Sequence, residues 1–259
     1  MRLETEDFSG PLLPGTAERA QWRFTVRAAQ FTTRHGDVTA VQTLTVPGRA
    51  NGEVRALTLS SPSGIEGTVR FVFEAVLAPW EDYVNHPAFA RLGFQSVLRR
   101  GALLLRHLGR GEKPEAWLCA ACDRPGTWRA EGPVPGWLRA GRVELTVPVR
   151  SAPDTPWRVR FALGVGARED DAFTAAQRAL VLPPAMAAAL PEELAAQYGM
   201  TGAELDDAMA AVSPLLFPSV AADAVPEQLA HPALWAQGIS GDLPVWCAEA
   251  ERGVLRQWA

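Results

Sequence analysis

The chain has 259 residues, 47% hydrophobic and 21% charged, with a formal net charge of −4, enough to bury one large core or two smaller ones. No run nears the roughly 18 consecutive apolar residues of a membrane span, and the acidic start Met1–Asp7 has no apolar signal region. No basic excess marks a nucleic-acid face. The expectation is a cytoplasmic chain with no membrane span and no nucleic-acid partner.

The first two thirds alternate with a period of two. Bulky residues take every second position in Trp22-Arg23-Phe24-Thr25-Val26-Arg27, and 38–46 is rich in β-branched residues and closed by Pro47-Gly48. Further strands are expected over 54–59, 67–77, 96–106, 116–122, 143–149 and 157–165. His35-Gly36-Asp37, Ser61-Pro62-Ser63-Gly64, Gly109-Arg110-Gly111 and Arg124-Pro125-Gly126 carry turn chemistry, and Arg99-Arg100 reads as a solvated turn. Many strands at hairpin spacing with almost no interleaved helix predict an antiparallel sandwich.

Cys119-Ala120-Ala121-Cys122 has the C-x-x-C spacing, but it lies in a strand pattern. Residues three apart on a strand point to opposite faces, so these thiols are expected not to converge on a metal. Three cysteines in all, with Cys247 the third, do not make a disulfide framework.

Composition shifts near Arg168. The alanine- and leucine-rich run 170–189 opens on Asp170-Asp171, a helix-start signal, and Pro183-Pro184 divides it. Pro191-Glu192-Glu193-Leu194 opens a helix that ends near Gly199, and Thr201-Gly202-Ala203-Glu204 has the capping-box form. These helices read as a packing linker.

Two stretches hold candidate polar chemistry. The loop after 77 carries Trp80, Glu81, Asp82, Tyr83 and His86, which suits either acid–base work or a structural sandwich loop. In His231-Pro232-Ala233-Leu234-Trp235-Ala236-Gln237-Gly238-Ile239-Ser240-Gly241-Asp242-Leu243-Pro244, glycines permit close backbone approach, the carboxylate accepts from hydroxyls and the indole can stack on a pyranose. This stretch reads equally as a polar-ligand loop or as the turn opening a helix with Asp242 as its cap. Among the nine tryptophans, Trp22, Trp117 and Trp157 fall in strand patterns and are expected in the core. Trp80, Trp128, Trp137 and Trp235 are placed in loops. No H-E-x-x-H, paired-histidine or phosphate-loop pattern is present, so neither metal nor cofactor is expected.

Two segments resemble glycoside hydrolase family 94, formerly glycosyltransferase family 36, in its cyclic β-1,2-glucan synthase and glycoside phosphorylase branch. One is Glu74-Ala75-Val76-Leu77-Ala78-Pro79 with His86-Pro87-Ala88-Phe89-Ala90-Arg91-Leu92. The other is Leu234-Trp235 followed by Gly238–Pro244, with Leu215-Leu216-Phe217-Pro218 between the two and Leu57-Thr58-Leu59 upstream. The resemblance implies a β-rich α+β architecture: a galactose-mutarotase-like antiparallel β-supersandwich over 1–168, incomplete at its amino end, a helical linker over 169–230, and the start of a truncated (α/α)6 barrel over 231–259. It further implies inverting phosphorolysis, in which one carboxylic acid protonates the glycosidic oxygen while inorganic phosphate, the family's co-substrate, attacks the anomeric carbon.

The family's general acid lies downstream of these motifs, so no residue here is assigned to catalysis. Trp235, Ser240 and Asp242 match sugar-binding positions, and Trp80, Tyr83 and His86 are candidate loop contacts. The implied partners are a β-linked glucan or oligosaccharide and either a second copy or a separate barrel chain. The expected role is carbohydrate binding without activity alone. A non-catalytic sandwich subunit that complements a barrel chain is the alternative.

Overall fold

The computed structural model describes residues 1–12, 17, 19–25, 28–46, 51–75, 77, 94–107, 115–131, 141–181, 195–197 and 199–208. Among these, the strands in chain order are β1 (Arg2–Thr5), β2 (Ser9–Pro11), β3 (Arg19–Phe24), β4 (Ala29–His35), β5 (Val38–Thr45), β6 (Gly52–Ser60) and β7 (Ile65–Ala75). They continue with β8 (Phe94–Arg99), β9 (Ala102–His107), β10 (Ala116–Cys122), β11 (Thr127–Glu131), β12 (Gly141–Ser151) and β13 (Trp157–Gly166), and helix α1 (Glu169–Val181) follows. The strands form a five-stranded sheet, β11-β12-β7-β1-β2, and an eight-stranded sheet, β3-β4-β5-β6-β13-β10-β9-β8. Pairing is antiparallel in each, giving the antiparallel two-sheet sandwich that the alternating pattern predicts.

The period of two selects the buried face. In β4, Ala29, Phe31, Thr33 and His35 are buried while Gln30 and Arg34 are exposed. The same phase on the opposing sheet buries Val69 and Phe71 of β7 and Leu145 and Val147 of β12, which join Leu57, Leu59, Val159 and Phe161 in one core. Phe71 and Phe161 stack across the sheets with centroids 4.9 Å apart, an arrangement that adds to simple area burial.

A second apolar layer lies on the other face of the large sheet. There α1 buries Ala172, Ala176, Ala179 and Leu180 against Val54, Leu104, Cys119, Ala121 and Ala162. Small residues on both sides let helix and sheet approach closely. Glu169, Asp170 and Asp171 occupy the first turn, where carboxylates complement the exposed N–H groups. At the other end Arg160 donates to the Ala179 carbonyl at 3.3 Å, and the helix stops ahead of Pro183-Pro184. The linker signals are also legible: Gly199, at φ 66°, closes the helical turn 195–197 with Met200 N–H donating to Ala195 O at 2.9 Å. Thr201 N–H donates to Glu204 Oε2 at 2.7 Å and Glu204 N–H to Thr201 Oγ1 at 3.3 Å, the reciprocal capping box, opening helical residues 202–208. Both Thr201 groups hold the Glu204 carboxyl below its ordinary range.

The expected strand over 96–106 is two strands. Arg99 pairs with Ala102, and Arg100 and Gly101 take φ 52° and 76°, a two-residue hairpin whose positive φ values match the twist of its strands. Apolar residues recur on both sides of the turn, which is why a single strand fits the pattern, but the turn shifts the phase by one residue. Strands β1, β2, β4 and β11 lie outside the expected set. The first two are too short to show a period, and β4 and β11 carry Gln, Thr and Arg on their open faces.

Candidate functional site

The two ends of the sandwich differ. At one end, short turns at 36–37, 61–64, 100–101, 123–126 and 152–156 join the strands. At the other, β5 leads to β6, β7 to β8, β9 to β10 and β11 to β12 through the segments 46–51, 76–93, 108–115 and 132–140. Trp80, Tyr83 and His86 belong to the chain between Leu77 and Phe94. They lie outside the described residues, as do Trp137, Trp235, Ser240, Asp242 and Cys247, together with the whole segment 209–259.

The short-turn end is held by polar contacts. Asp37 accepts from Ser61 Oγ at 2.7 Å and from the Ser63 hydroxyl, and these two bonds hold its carboxyl below the usual range. Ser61 O accepts from Gly64 N–H at 3.3 Å and Asp154 N–H at 3.0 Å. Three turns are thus tied together through Asp37 Oδ2 and Ser61.

The connection-bearing end holds charge on the inner face of the large sheet. In Glu53-Val54-Arg55-Ala56-Leu57-Thr58-Leu59, the inward phase of Leu57 and Leu59 carries Arg55 and Glu53 inward too. Arg55 Nε donates to Glu53 Oε1 at 2.7 Å, and the two side chains are 23% and 10% exposed. His107 is buried at the end of β9. Glu53 is in line with Leu163, Ala120 and Leu103 across three strand spacings, and His107 lies four residues beyond Leu103. Ordinary strand dimensions thus separate Glu53 and His107 by roughly 14 Å across and 13 Å along the sheet, too far for an acid–base pair acting on one bond.

Cys119 packs beneath α1, whereas Cys122 packs against the inter-sheet core, the opposite-face placement that their spacing predicts. Burial pushes the two thiols up to about 12 and about 11, so neither is an activated nucleophile. Among the described residues, no group of three His, Cys, Asp or Glu side chains could hold a metal ion.

Trp157 is buried, as expected. Trp22 and Trp117 are half-buried, the latter beneath the Arg106 guanidinium at 5.4 Å. Trp128, placed in a loop by its neighbours Pro125-Gly126, lies instead in β11, where its indole N–H donates to Gly101 O at 3.1 Å and its ring is 6.0 Å from Phe161. It braces the sandwich and is not a free stacking platform. Sequence reading missed the Glu53–Arg55 pair, although its signal is plain: charged residues in the inward phase of a strand.

Residues 8–131 match the family model described as the glycosyl hydrolase 94 supersandwich domain. No curated protein matches the chain in sequence. Among solved structures, a provisionally named kojibiose phosphorylase from the human microbiome aligns with TM-score 0.46 and 8% identity over 70% of this chain and 25% of that protein. A heparan sulfate lyase from Pedobacter heparinus aligns with TM-score 0.32 and 6% identity over 58% of this chain and 22% of its own. A provisionally named aldose 1-epimerase from Escherichia coli K12 aligns with TM-score 0.35 and 10% identity over 64% and 78%. The chain thus spans about a quarter of the length of the phosphorylase it resembles. No described helix is long and apolar enough to cross a membrane. Residues 8–131, just under half of the chain, thus match the supersandwich domain of glycosyl hydrolase family 94 and lie in an antiparallel two-sheet sandwich.

Proposed function

We propose that the chain supplies the carbohydrate-binding sandwich of a glycoside phosphorylase or cyclic β-1,2-glucan synthase-like glycosyltransferase, and that alone it binds or positions sugar without cleaving it. The match of residues 8–131 to the family-94 supersandwich model supports this reading. The cyclic-glucan branch is suggested by the V-L-A-P turn with H-P-A-F-A-R-L and by Gly238–Pro244. Phosphorolysis needs one acid to protonate the glycosidic oxygen beside a phosphate nucleophile. The described inner face offers one buried carboxylate, already engaged by an arginine, and two buried histidines, His35 and His107, both far from it, which favours binding over bond cleavage.

In this proposal Trp80, Tyr83 and His86 act from the connection-bearing end as sugar contacts. Trp235, Ser240 and Asp242 supply a stacking surface and hydroxyl partners. The chain works in the cytoplasm with a β-linked glucan or oligosaccharide as ligand. A helical linker and barrel continue the architecture.

The test is to incubate the purified chain with inorganic phosphate and β-1,2-glucan or cellobiose, and to titrate it separately with the same sugars. Binding without release of glucose 1-phosphate is the expected result. Release of glucose 1-phosphate would overturn the inactivity, and absence of any sugar binding would overturn the binding role.

A further inference from the structure

Glu53 is the one buried carboxylate among the described residues, and its setting is apolar. Arg55 lies between Leu44 of β5 and Phe161 of β13, and Glu53 is opposite Leu163. A buried ion pair in such surroundings contributes little or negatively to stability compared with two well-packed apolar side chains, because two charges must be desolvated for one contact. The position calls for an aliphatic pair, as Leu57 and Leu59 show two and four residues further along the same face.

The contact is also one-sided. Arg55 meets Glu53 through Nε and Oε1 alone, so Glu53 Oε2 and the terminal nitrogens of the guanidinium have no partner among the described residues. Side-chain exposures of 23% and 10% leave that edge in reach of solvent. The edge faces the end from which the segments 46–51, 76–93, 108–115 and 132–140 leave the sheets.

The geometry points to a pyranose subsite in which this open edge recognises a vicinal diol. One sugar hydroxyl donates to Glu53 Oε2, its neighbour accepts from a terminal Arg55 N–H, and the half-buried Leu163 side chain opposite Glu53 meets the ring's C–H face. A carboxylate beside a guanidinium presents the acceptor and donor that adjacent hydroxyls require, and both hydrogen bonds are charge-assisted. The ligand class is a neutral glucose unit of a β-linked oligosaccharide, so the assignment rests on the carbohydrate-binding reading above.

The experiment titrates the full chain with sophorose and with its fully O-methylated derivative, following binding calorimetrically and fold by thermal melting. Wild-type chain should bind sophorose and not the methylated sugar. Glu53→Gln should weaken sophorose binding tenfold or more, and a Glu53→Leu/Arg55→Met double variant should abolish it while melting at or above the wild-type temperature, so that lost binding cannot be lost fold. A variant that binds as wild type overturns the subsite and leaves the carbohydrate-binding reading standing. A double variant that melts well below wild type also overturns it, since the pair is then structural. If the wild-type chain binds no sugar at all, both readings fall.

Discussion

At Gly164 a methyl group would lie 2.3 Å from Ala176 N and 2.4 Å from Ala172 O. Both are backbone atoms of α1 and cannot rotate aside, so Gly164→Ala must lift the helix or bend the strand. Overpacking of this kind costs about 1–3 kcal/mol, and the loss should appear in urea unfolding as a lower midpoint with an unchanged slope. An unchanged midpoint would show that the helix is not seated as described. The composition of the sequence hides this role: Gly164 sits in Ala162-Leu163-Gly164-Val165-Gly166, where a glycine reads only as a weak strand residue. Its meaning comes from a helix that follows it in the chain and folds back over it. The Glu53–Arg55 pair is the opposite case, because strand phase alone places both side chains inward and needs no tertiary information.

The β8–β9 hairpin illustrates what alternation can and cannot tell. Val97 pairs with Leu104 and Arg99 with Ala102, so each face passes from odd to even positions at the turn, and β8 is exposed, with Val97 at 48% and Leu98 at 61%, while Ala102–Leu105 are buried; an unbroken alternation foresees neither. The turn depends on Gly101 at φ 76°, where an added Cβ would meet nothing within 4 Å. Gly101→Ala therefore has only backbone strain to overcome and should cost on the order of 1 kcal/mol, read as a small shift in thermal midpoint. A loss as large as that at Gly164 would mean that the turn touches something further. Helix boundaries were more legible than strand boundaries because their signals are chemical as well as periodic. Acidic residues open α1, Pro183-Pro184 lies beyond its end, and the Thr201–Glu204 box forms as written. All six sugar-contact candidates lie outside the described residues.

One strand serves both apolar layers of the molecule: β10 directs Cys119 under the helix and Cys122 toward the space between the sheets. Burial raises both thiols above the ordinary 9.0, to about 12 and about 11, so the folded chain holds these protons more tightly than the unfolded one. Their contribution to stability is complete below pH 9 and is lost as the pH rises through the folded values. Urea midpoints should fall between pH 9 and about 11, and Cys119→Ala with Cys122→Ala should flatten that fall; an equal fall in the double variant would locate the alkaline weakness elsewhere. The division of the sandwich into a short-turn end and a connection-bearing end also has a practical consequence. A tether placed in the turn 152–156 would fix the molecule to a sensor surface with its longer connections turned outward, so immobilised protein would present one uniform orientation to a passing oligosaccharide. The same chemistry applied at the far end would blind it.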